Sequence, residues 1–174
     1  MESFHLMESQ EPMHEHPLYD KWVLWAHLPH DTDWSLSSYS KILELSTIEQ
    51  VISLYNSIPA LMVRNCMLFL MRRGINPTWE DEKNSNGGCF SFKVSNKAVP
   101  AVWKELSYLL TGETVSIDRD FQKNITGITI SPKKSFCILK IWMCDLNYQN
   151  PKNIARIKGL PIQGCLFKKH KPSF

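Results

Sequence analysis

The chain has 174 residues, of which 43% are hydrophobic and 21% charged, and this composition predicts one globular domain with a buried core. The longest clean apolar run, Cys66 to Met71, is too short to cross a bilayer. Residues 1–18 are polar and acidic and lack the pattern of a signal peptide. Five cysteines without a C-x-x-C pair disfavour a disulfide framework and a structural zinc site. We therefore expect a cytoplasmic protein without membrane contact, metal or cofactor.

The positive charge is concentrated in the last third of the chain. Residues 1–118 contain 9 Lys+Arg and 15 Asp+Glu, whereas residues 119–174 contain 11 and 2, so their net charges are −6 and +9. This asymmetry predicts a localised anion site, because coating a duplex would need a broader positive face. A solvated basic surface is the alternative, and charge alone leaves both open.

The first elements along the chain are a strand and a helix. Residues 1–15 offer little to pack, and we expect a disordered tail there, followed by a single domain over residues 16–174. Tyr19–Leu28 mixes aromatic and β-branched residues, which predicts a strand. Ser46-Thr47-Ile48-Glu49 has the pattern of a capping box, so a helix should begin there and end near Ile58, before Pro59.

The middle of the chain predicts two strands and a second helix. Cys66–Met71 is a continuous apolar run typical of a buried strand, and residues 90–94 alternate apolar and polar side chains. Pro100 and Gly112 suit the start and the end of a helix.

The last third predicts a hairpin, a short helix and a final strand. Ile125–Ser131 and Phe136–Trp142 are strand-like and are joined by a basic turn. Asn150-Pro151 suits the start of a third helix, and Ile162–Phe167 a last strand. Strands joined mostly by hairpins, with three separate helices, predict an α+β fold in which the helices cover one face of an antiparallel sheet. The other face is then free to bind a ligand.

Two of the six tryptophans lie in polar loops. Trp34 follows His30-Asp31-Thr32-Asp33, and Trp79 is followed by the acidic run Glu80-Asp81-Glu82. A large ring in a polar loop either docks beneath that loop or contacts a ligand. With two such rings, one of them beside a carboxylate, a stacking site becomes a competitive interpretation.

Several segments occur together in a characteristic order. They are HPLYDKWVLW (16–25), Trp34, TIEQVISLYNSI (47–58), NPTWEDEKNSNGG (76–88), Trp103, Ile141-Trp142 and GLP (159–161). From His16 to about Pro161 the chain resembles the eukaryotic translation initiation factor 4E family, the subunit that binds the 5′ cap of messenger RNA, and the W-E-D-E-K-N-x-x-G-G run is the most specific part. The resemblance implies a curved antiparallel sheet with three helices on its convex face and a cap cleft on its concave face.

The resemblance also assigns roles in binding the 7-methylguanine ring. It implies that Trp34 and Trp79 sandwich this cationic ring, which two indole faces bind better than neutral guanine. Glu80 would accept hydrogen bonds from guanine N1–H and the exocyclic amino group. Trp142 would contact the N7-methyl group. A general single-stranded RNA binder with aromatic platforms is the alternative, and it would not discriminate methylated from plain guanine.

The expected phosphate site departs from the family pattern. Cys89 stands where the family usually has an arginine, and Ile138 where it has a lysine, while Lys133 matches another phosphate-binding position. Strand alternation places Lys140 on the same face as Ile138. We therefore expect Lys133 and Lys140, with Lys134 as a further candidate, to bind the triphosphate.

The basic end of the chain is a further candidate for contacts with nucleic acid. Lys168, Lys169, His170 and Lys171 would contact the phosphates or the next nucleotide, or else form a solvated tail. The sequence favours neither interpretation.

A second site is implied on the convex, or dorsal, surface. There the family binds a helical peptide from the scaffold initiation factor or from a competing binding protein. Ile52 replaces the tryptophan expected on the first helix, Lys104 replaces the leucine expected after Trp103, and Tyr108 replaces another leucine. Two accounts remain open: a scaffold with a reshaped motif, or a repressor that binds caps without recruiting ribosomes. The positions that match the site are His16, Pro17, Leu18, Ile48, Glu105 and Gly112.

An enzyme acting on caps is the rival class. A pyrophosphatase would need a second set of clustered carboxylates beside the acidic run that begins at Glu80. His27 and His30 lack partners at metal-ligand spacing, and no nucleophile elbow or P-loop occurs. We therefore expect a monomeric binding protein, not an enzyme. The substituted positions indicate a divergent member of the family, compatible with a cellular or a viral origin.

Overall fold

The computed structural model describes residues 14–170, so most of the expected tail (1–15) and Lys171 lie outside the described residues. A seven-stranded sheet forms the centre of the fold, and each pair of neighbouring strands is antiparallel, in the order β2-β1-β3-β5-β6-β4-β7. The strands are β1 Pro17–His27, β2 Ser40–Thr47, β3 Met67–Arg72, β4 Gly88–Ser95, β5 Ile125–Pro132, β6 Phe136–Met143 and β7 Leu166–Lys169.

Four α-helices accompany the sheet: α1 Ile48–Ser57, α2 Ala60–Asn65, α3 Val99–Thr111 and α4 Arg119–Asn124. Only α1 and α3 were expected from the sequence. The other two are six residues long, too short for a helical repeat of apolar residues to be recognised. The expected third helix is a single 3-10 turn at Pro151–Asn153.

The start of α1 lies one residue later than the capping box predicted. Thr47, not Ser46, is the N-cap, and its hydroxyl accepts a hydrogen bond from the Gln50 N–H at 3.3 Å. The side-chain oxygen of Gln50 in turn accepts from the Thr47 N–H at 3.2 Å. Glu49 therefore takes no part in the capping box, and its carboxylate instead contacts His16.

Alternation along the strands divides the apolar residues between the two faces of the sheet. On β3, Leu68 and Leu70 join the large core beneath the helices, whereas Phe69 and Met71 join a second cluster with Cys89 and Trp142. Among the described residues, the partly buried hydrophobic side chains that pack against the second cluster come from strands and loops and not from an α-helix; they are Trp25, Tyr39, Met67 and Ile75. The sheet face opposite the main core is therefore the place for a binding cleft.

The last strand begins later than expected and extends further. Residues 162–165 form turns, and β7 pairs with β4 from Leu166, opposite Ser91, to Lys169, opposite Gly88. This register pairs Lys168 with Cys89 and places Lys168 at the edge of the cleft.

Candidate functional site

A cleft of about 460 Å³ opens on the sheet face that the second cluster occupies. Its walls combine aromatic rings, hydroxyl groups and lysines. The lining includes five of the site residues predicted from the sequence: Trp34, Trp79, Trp142, Lys133 and Lys140. The other lining residues are Tyr39, Met67, Phe69, Pro77, Thr78, Ser91, Thr129, Ser131, Ile138 and Lys168.

Trp34 is presented by the loop after β1. Its side chain is 52% exposed, and one face of the indole lies against His27, with ring centroids 4.3 Å apart and an interplanar angle of 4°. The Asp33 carboxylate accepts a hydrogen bond from the Ser35 N–H at 2.8 Å, and this bond holds the pKa of Asp33 below its usual value. The loop is therefore ordered by its own polar side chains.

The acidic loop that carries Trp79 is held together by two of its own residues. The Asp81 carboxylate accepts from the N–H groups of Asn76 and Lys83, both at 2.9 Å. Asn84 is fully buried, and its amide donates to the carbonyls of Asn76 at 3.1 Å and Thr78 at 2.8 Å. The characteristic motif thus fixes the backbone on both sides of Trp79, whose ring remains 43% exposed.

Glu80 is exposed and is not among the residues that line the cleft. Its charge nevertheless acts on a cleft residue. Burial raises the pKa of Tyr39 to about 12, and the negative charge of Glu80 adds to that rise. The contact of Glu80 with guanine stays a prediction.

Trp142 forms the floor of the cleft. It is 7% exposed, and its indole N–H donates to the Thr129 hydroxyl at 3.3 Å. The His170 ring lies over it with centroids 4.6 Å apart. Burial and the nearby charge of Lys140 lower the pKa of His170 to about 4, so at neutral pH it is an uncharged ring.

Two lysines of the cleft, Lys140 and Lys168, lie near Cys89. Cys89 pairs with Trp142 on one side and with Lys168 on the other, and Ser91 pairs with Lys140. Burial raises the pKa of the Cys89 thiol, and the positive charges of Lys140 and Lys168 oppose this rise only in part. Lys168 therefore supplies a charge beside Cys89 from the next strand.

The remaining basic candidates lie elsewhere. Lys134 is exposed in the β5–β6 turn and Lys169 is exposed at the end of β7, and neither is in the lining of the cleft. Lys133 is beside Lys134, and its backbone N–H donates to the Phe136 carbonyl at 2.8 Å, which closes the turn.

On the dorsal face, an apolar groove of about 290 Å³ lies between α1, α3 and the start of β1. Ile48 and Ile52 are 45% and 46% exposed, and the Tyr108 ring packs edge-on against Tyr55 at 5.5 Å. Five of the eight residues predicted for the dorsal site line this groove, namely Leu18, Ile48, Ile52, Tyr108 and Gly112.

The other three dorsal residues flank the groove or lie outside its lining. Pro17 and Glu105 are exposed. The His16 ring contacts the Glu49 carboxylate at 2.6 Å, and its backbone N–H donates to the same group at 3.0 Å. These bonds lower the pKa of Glu49 to about 2 and fasten the first residues of the domain to α1.

The sequence did not identify several residues that complete the cleft. Tyr39 and Phe69 line one wall, and His27 lies behind Trp34. Alternation along β3 could have placed Phe69 on the open face. Nothing in the sequence indicates that His27 and Trp34 meet, since that contact depends on how the loop after β1 folds back.

Two further observations on the described residues concern metal sites and membrane-spanning helices. No group of three or more His, Cys, Asp or Glu side chains between residues 14 and 170 is arranged to hold a metal ion. Within the same range, no helix has the length and apolar character needed to cross a membrane.

An antiparallel sheet with helices on one face and an aromatic, lysine-rich cleft on the other defines an α+β ligand-binding protein. Residues 17–171 match the family described as Eukaryotic initiation factor 4E. The chain belongs to this family, and the resemblance found in the sequence is confirmed, as is the fold class.

Relatives are found in cells and in a virus. The chain is 34% identical over 146 residues to the eukaryotic translation initiation factor 4E of Eremothecium gossypii. The matched region covers 79% of this chain and 66% of that protein. It is 39% identical over 83 residues to the eukaryotic translation initiation factor 4E homolog of Acanthamoeba polyphaga mimivirus, covering 47% of this chain and 27% of the relative.

Solved structures show the same fold. The complex of Ascaris suum eIF4E-3 with the m7G cap matches with a TM-score of 0.68 at 27% identity, covering 77% of this chain and 76% of the other. Caenorhabditis elegans eIF4E-3, in complex with the 4E-binding protein Mextli and a cap analog, matches with a TM-score of 0.68 at 25% identity, covering 76% of both chains.

Proposed function

We propose that this chain binds the 7-methylguanosine cap of messenger RNA in the cleft and acts in translation initiation in the cytoplasm, without catalysing a reaction. The observation that carries the proposal is the pair of exposed indoles, Trp34 and Trp79, which two separate ordered loops present at one cleft. Crystal structures of one relative, Ascaris suum eIF4E-3, in complex with the m7G cap and with the m2,2,7G cap support it.

The methylated base is bound between the two indoles. A cation between desolvated aromatic faces gains about 2 kcal/mol or more, whereas neutral guanine gains less. Glu80 accepts from the Watson–Crick edge of guanine, and adenine would leave this carboxylate without those donors. Trp142 contacts the N7-methyl group from the floor of the cleft.

The phosphate chain is bound by lysines. Lys133 and Lys140, predicted from the sequence, lie in the cleft lining together with Lys168. Lys168 compensates for the arginine that Cys89 replaces. Lys134 is exposed beside the cleft and contributes long-range attraction.

The test of the proposed function is a fluorescence titration with 7-methyl-GTP and GTP in parallel. Strong preference for the methylated ligand supports the sandwich, because only the methylated base carries the ring charge. Equal, weak binding of both would favour the alternative of a general single-stranded RNA binder.

The lysine assignment predicts that Lys140→Ala and Lys168→Ala each lower the affinity for 7-methyl-GTP about tenfold, because each removes a charge-assisted contact of roughly 1.5 kcal/mol. Titration with 7-methylguanosine, which lacks phosphates, should show little change in the same variants. Lys169→Ala is the matched control, since Lys169 neighbours Lys168 but lies outside the cleft lining. Unchanged 7-methyl-GTP binding in both test variants would contradict the assignment.

On the dorsal face, we propose that the groove binds a helical peptide from a scaffold initiation factor or from a competing binding protein. The groove is apolar, as an amphipathic helix requires. The C. elegans relative was solved in complex with the 4E-binding protein Mextli, and a schistosome relative in complex with 4E-BP. The changed anchors Ile52, Lys104 and Tyr108 favour a reshaped motif in the partner, and they keep open the alternative of a repressor.

The dorsal proposal predicts that Ile52→Asp abolishes binding of a 4E-binding-protein peptide, since it places a charge in the apolar groove. Ile42→Asp is the matched control, because Ile42 is 45% exposed, as Ile52 is at 46%, but does not line the groove. Isothermal titration calorimetry measures both. Failure of the unchanged protein to bind the peptide would favour the repressor or a partner with a different motif.

A further inference from the structure

His27 lies behind the Trp34 indole, on the side away from solvent. It is the last residue of β1, and its side chain is 2% exposed although histidine is a polar residue. The two rings are almost parallel, with centroids 4.3 Å apart and planes 4° from each other. This contact covers one face of an indole that is otherwise half exposed.

The His27 ring is itself fixed in place. Its Nε2 donates to the backbone carbonyl of Asp33 at 2.8 Å, and because a carbonyl can only accept, the hydrogen is on Nε2. The ring also meets Tyr39 at 4.8 Å, and Tyr39 meets Phe69 edge-on at 5.2 Å. A continuous series of aromatic contacts therefore connects the exposed Trp34 to the buried cluster beneath the cleft.

The hydrogen bond links the same ring to the loop that carries the indole. Asp33 is the residue immediately before Trp34, so His27 holds both the backbone and the side chain of this segment. Its Nδ1 is buried and has no hydrogen-bond partner among the described residues. Burying a polar atom without a hydrogen-bond partner lowers stability. A histidine behind the indole therefore costs stability that an apolar ring at the same position would not.

We propose that His27 is the positioning residue of the cap site: it fixes the plane of Trp34 so that one indole face is always covered and the other is available to the methylated base. The inference rests on the proposed function. Without the contact, an exposed tryptophan in a loop would sample several rotamers, and ligand binding would have to order it. With the contact, the stacking surface exists before the ligand arrives.

Three variants test the inference in the full chain with 7-methyl-GTP as the probe. His27→Ala removes both the ring and the hydrogen bond, and we expect the affinity to fall about tenfold. His27→Phe keeps a ring at the same place, and we expect it to recover the affinity to within about threefold of the unchanged protein. In a Trp34→Ala background, His27→Ala should have no further effect, because its action passes through Trp34.

Three outcomes would overturn the inference: unchanged affinity in His27→Ala, a His27→Phe variant as weak as His27→Ala, or a full His27→Ala effect in the Trp34→Ala background. Thermal unfolding of each variant shows whether a loss reflects the site or the fold. Failure of the proposed function is recognised separately, since the unchanged protein would then bind 7-methyl-GTP and GTP alike.

Discussion

Trp79→Ala is expected to lower the affinity for 7-methyl-GTP by about 30-fold or more, because one face of the sandwich is worth about 2 kcal/mol or more to the cationic base. The preference for 7-methyl-GTP over GTP should shrink in the same variant, since neutral guanine loses less. The change should leave the fold intact, because the ring is 43% exposed and the loop is held by Asp81 and Asn84. Tryptophan fluorescence quenching or calorimetry measures both affinities.

Two further variants sharpen this result. Trp79→Phe keeps a smaller aromatic face and should give an intermediate affinity. Tyr19→Ala is the control for loss of an exposed ring, since Tyr19 is 85% exposed and does not line the cleft. If Trp79→Ala binds 7-methyl-GTP as the unchanged protein does, the sandwich proposal is wrong.

The second large effect concerns stability: Arg72→Met should lower the free energy of unfolding by about 3–5 kcal/mol. The Arg72 side chain is 12% exposed and forms ion pairs with Glu113 at 2.6 Å and Asp20 at 2.9 Å. Burial acts to lower the pKa of this guanidinium, but its bonds to Glu113 and Asp20 outweigh burial and raise it. Removing Arg72 leaves the Glu113 carboxylate, itself only 17% exposed, without its cation.

The neighbouring arginine provides the control. Arg73 is 55% exposed and meets Glu44 at 3.6 Å, so Arg73→Met should change stability by less than about 1 kcal/mol. Thermal unfolding should show a midpoint about 10 °C lower for Arg72→Met, with little change for Arg73→Met. Equal midpoints in the two variants would mean that the buried ion pairs contribute nothing. Neither arginine lines the cleft, so 7-methyl-GTP binding should persist in folded protein.

The NPTWEDEKNSNGG segment was recognisable from sequence for a local physical reason. In NPTWEDEKNSNGG, Asp81 and Asn84 bond to backbone groups no more than eight residues away and so shape their own loop around Trp79. Such short-range bonds depend on residue identity and spacing, which the sequence states directly. The capping of α1 is also local, but two overlapping pairs of residues fit the capping-box pattern. We expected Ser46 with Glu49 from the sequence, whereas the structure forms the box with Thr47 and Gln50.

The amino-acid sequence by itself determined the family, through the resemblance of segments such as NPTWEDEKNSNGG. It also determined the α+β class and the strands whose apolar residues alternate, because these follow from local spacing and composition. Only the tertiary structure decided that Lys168 pairs beside Cys89 and that His27 stacks on Trp34. The first contact depends on the register of an edge strand almost 80 residues away along the chain, and the second on how a loop folds back over the end of its strand. Neither distance nor orientation between such segments is encoded in any short pattern, since both are set by packing across the whole sheet.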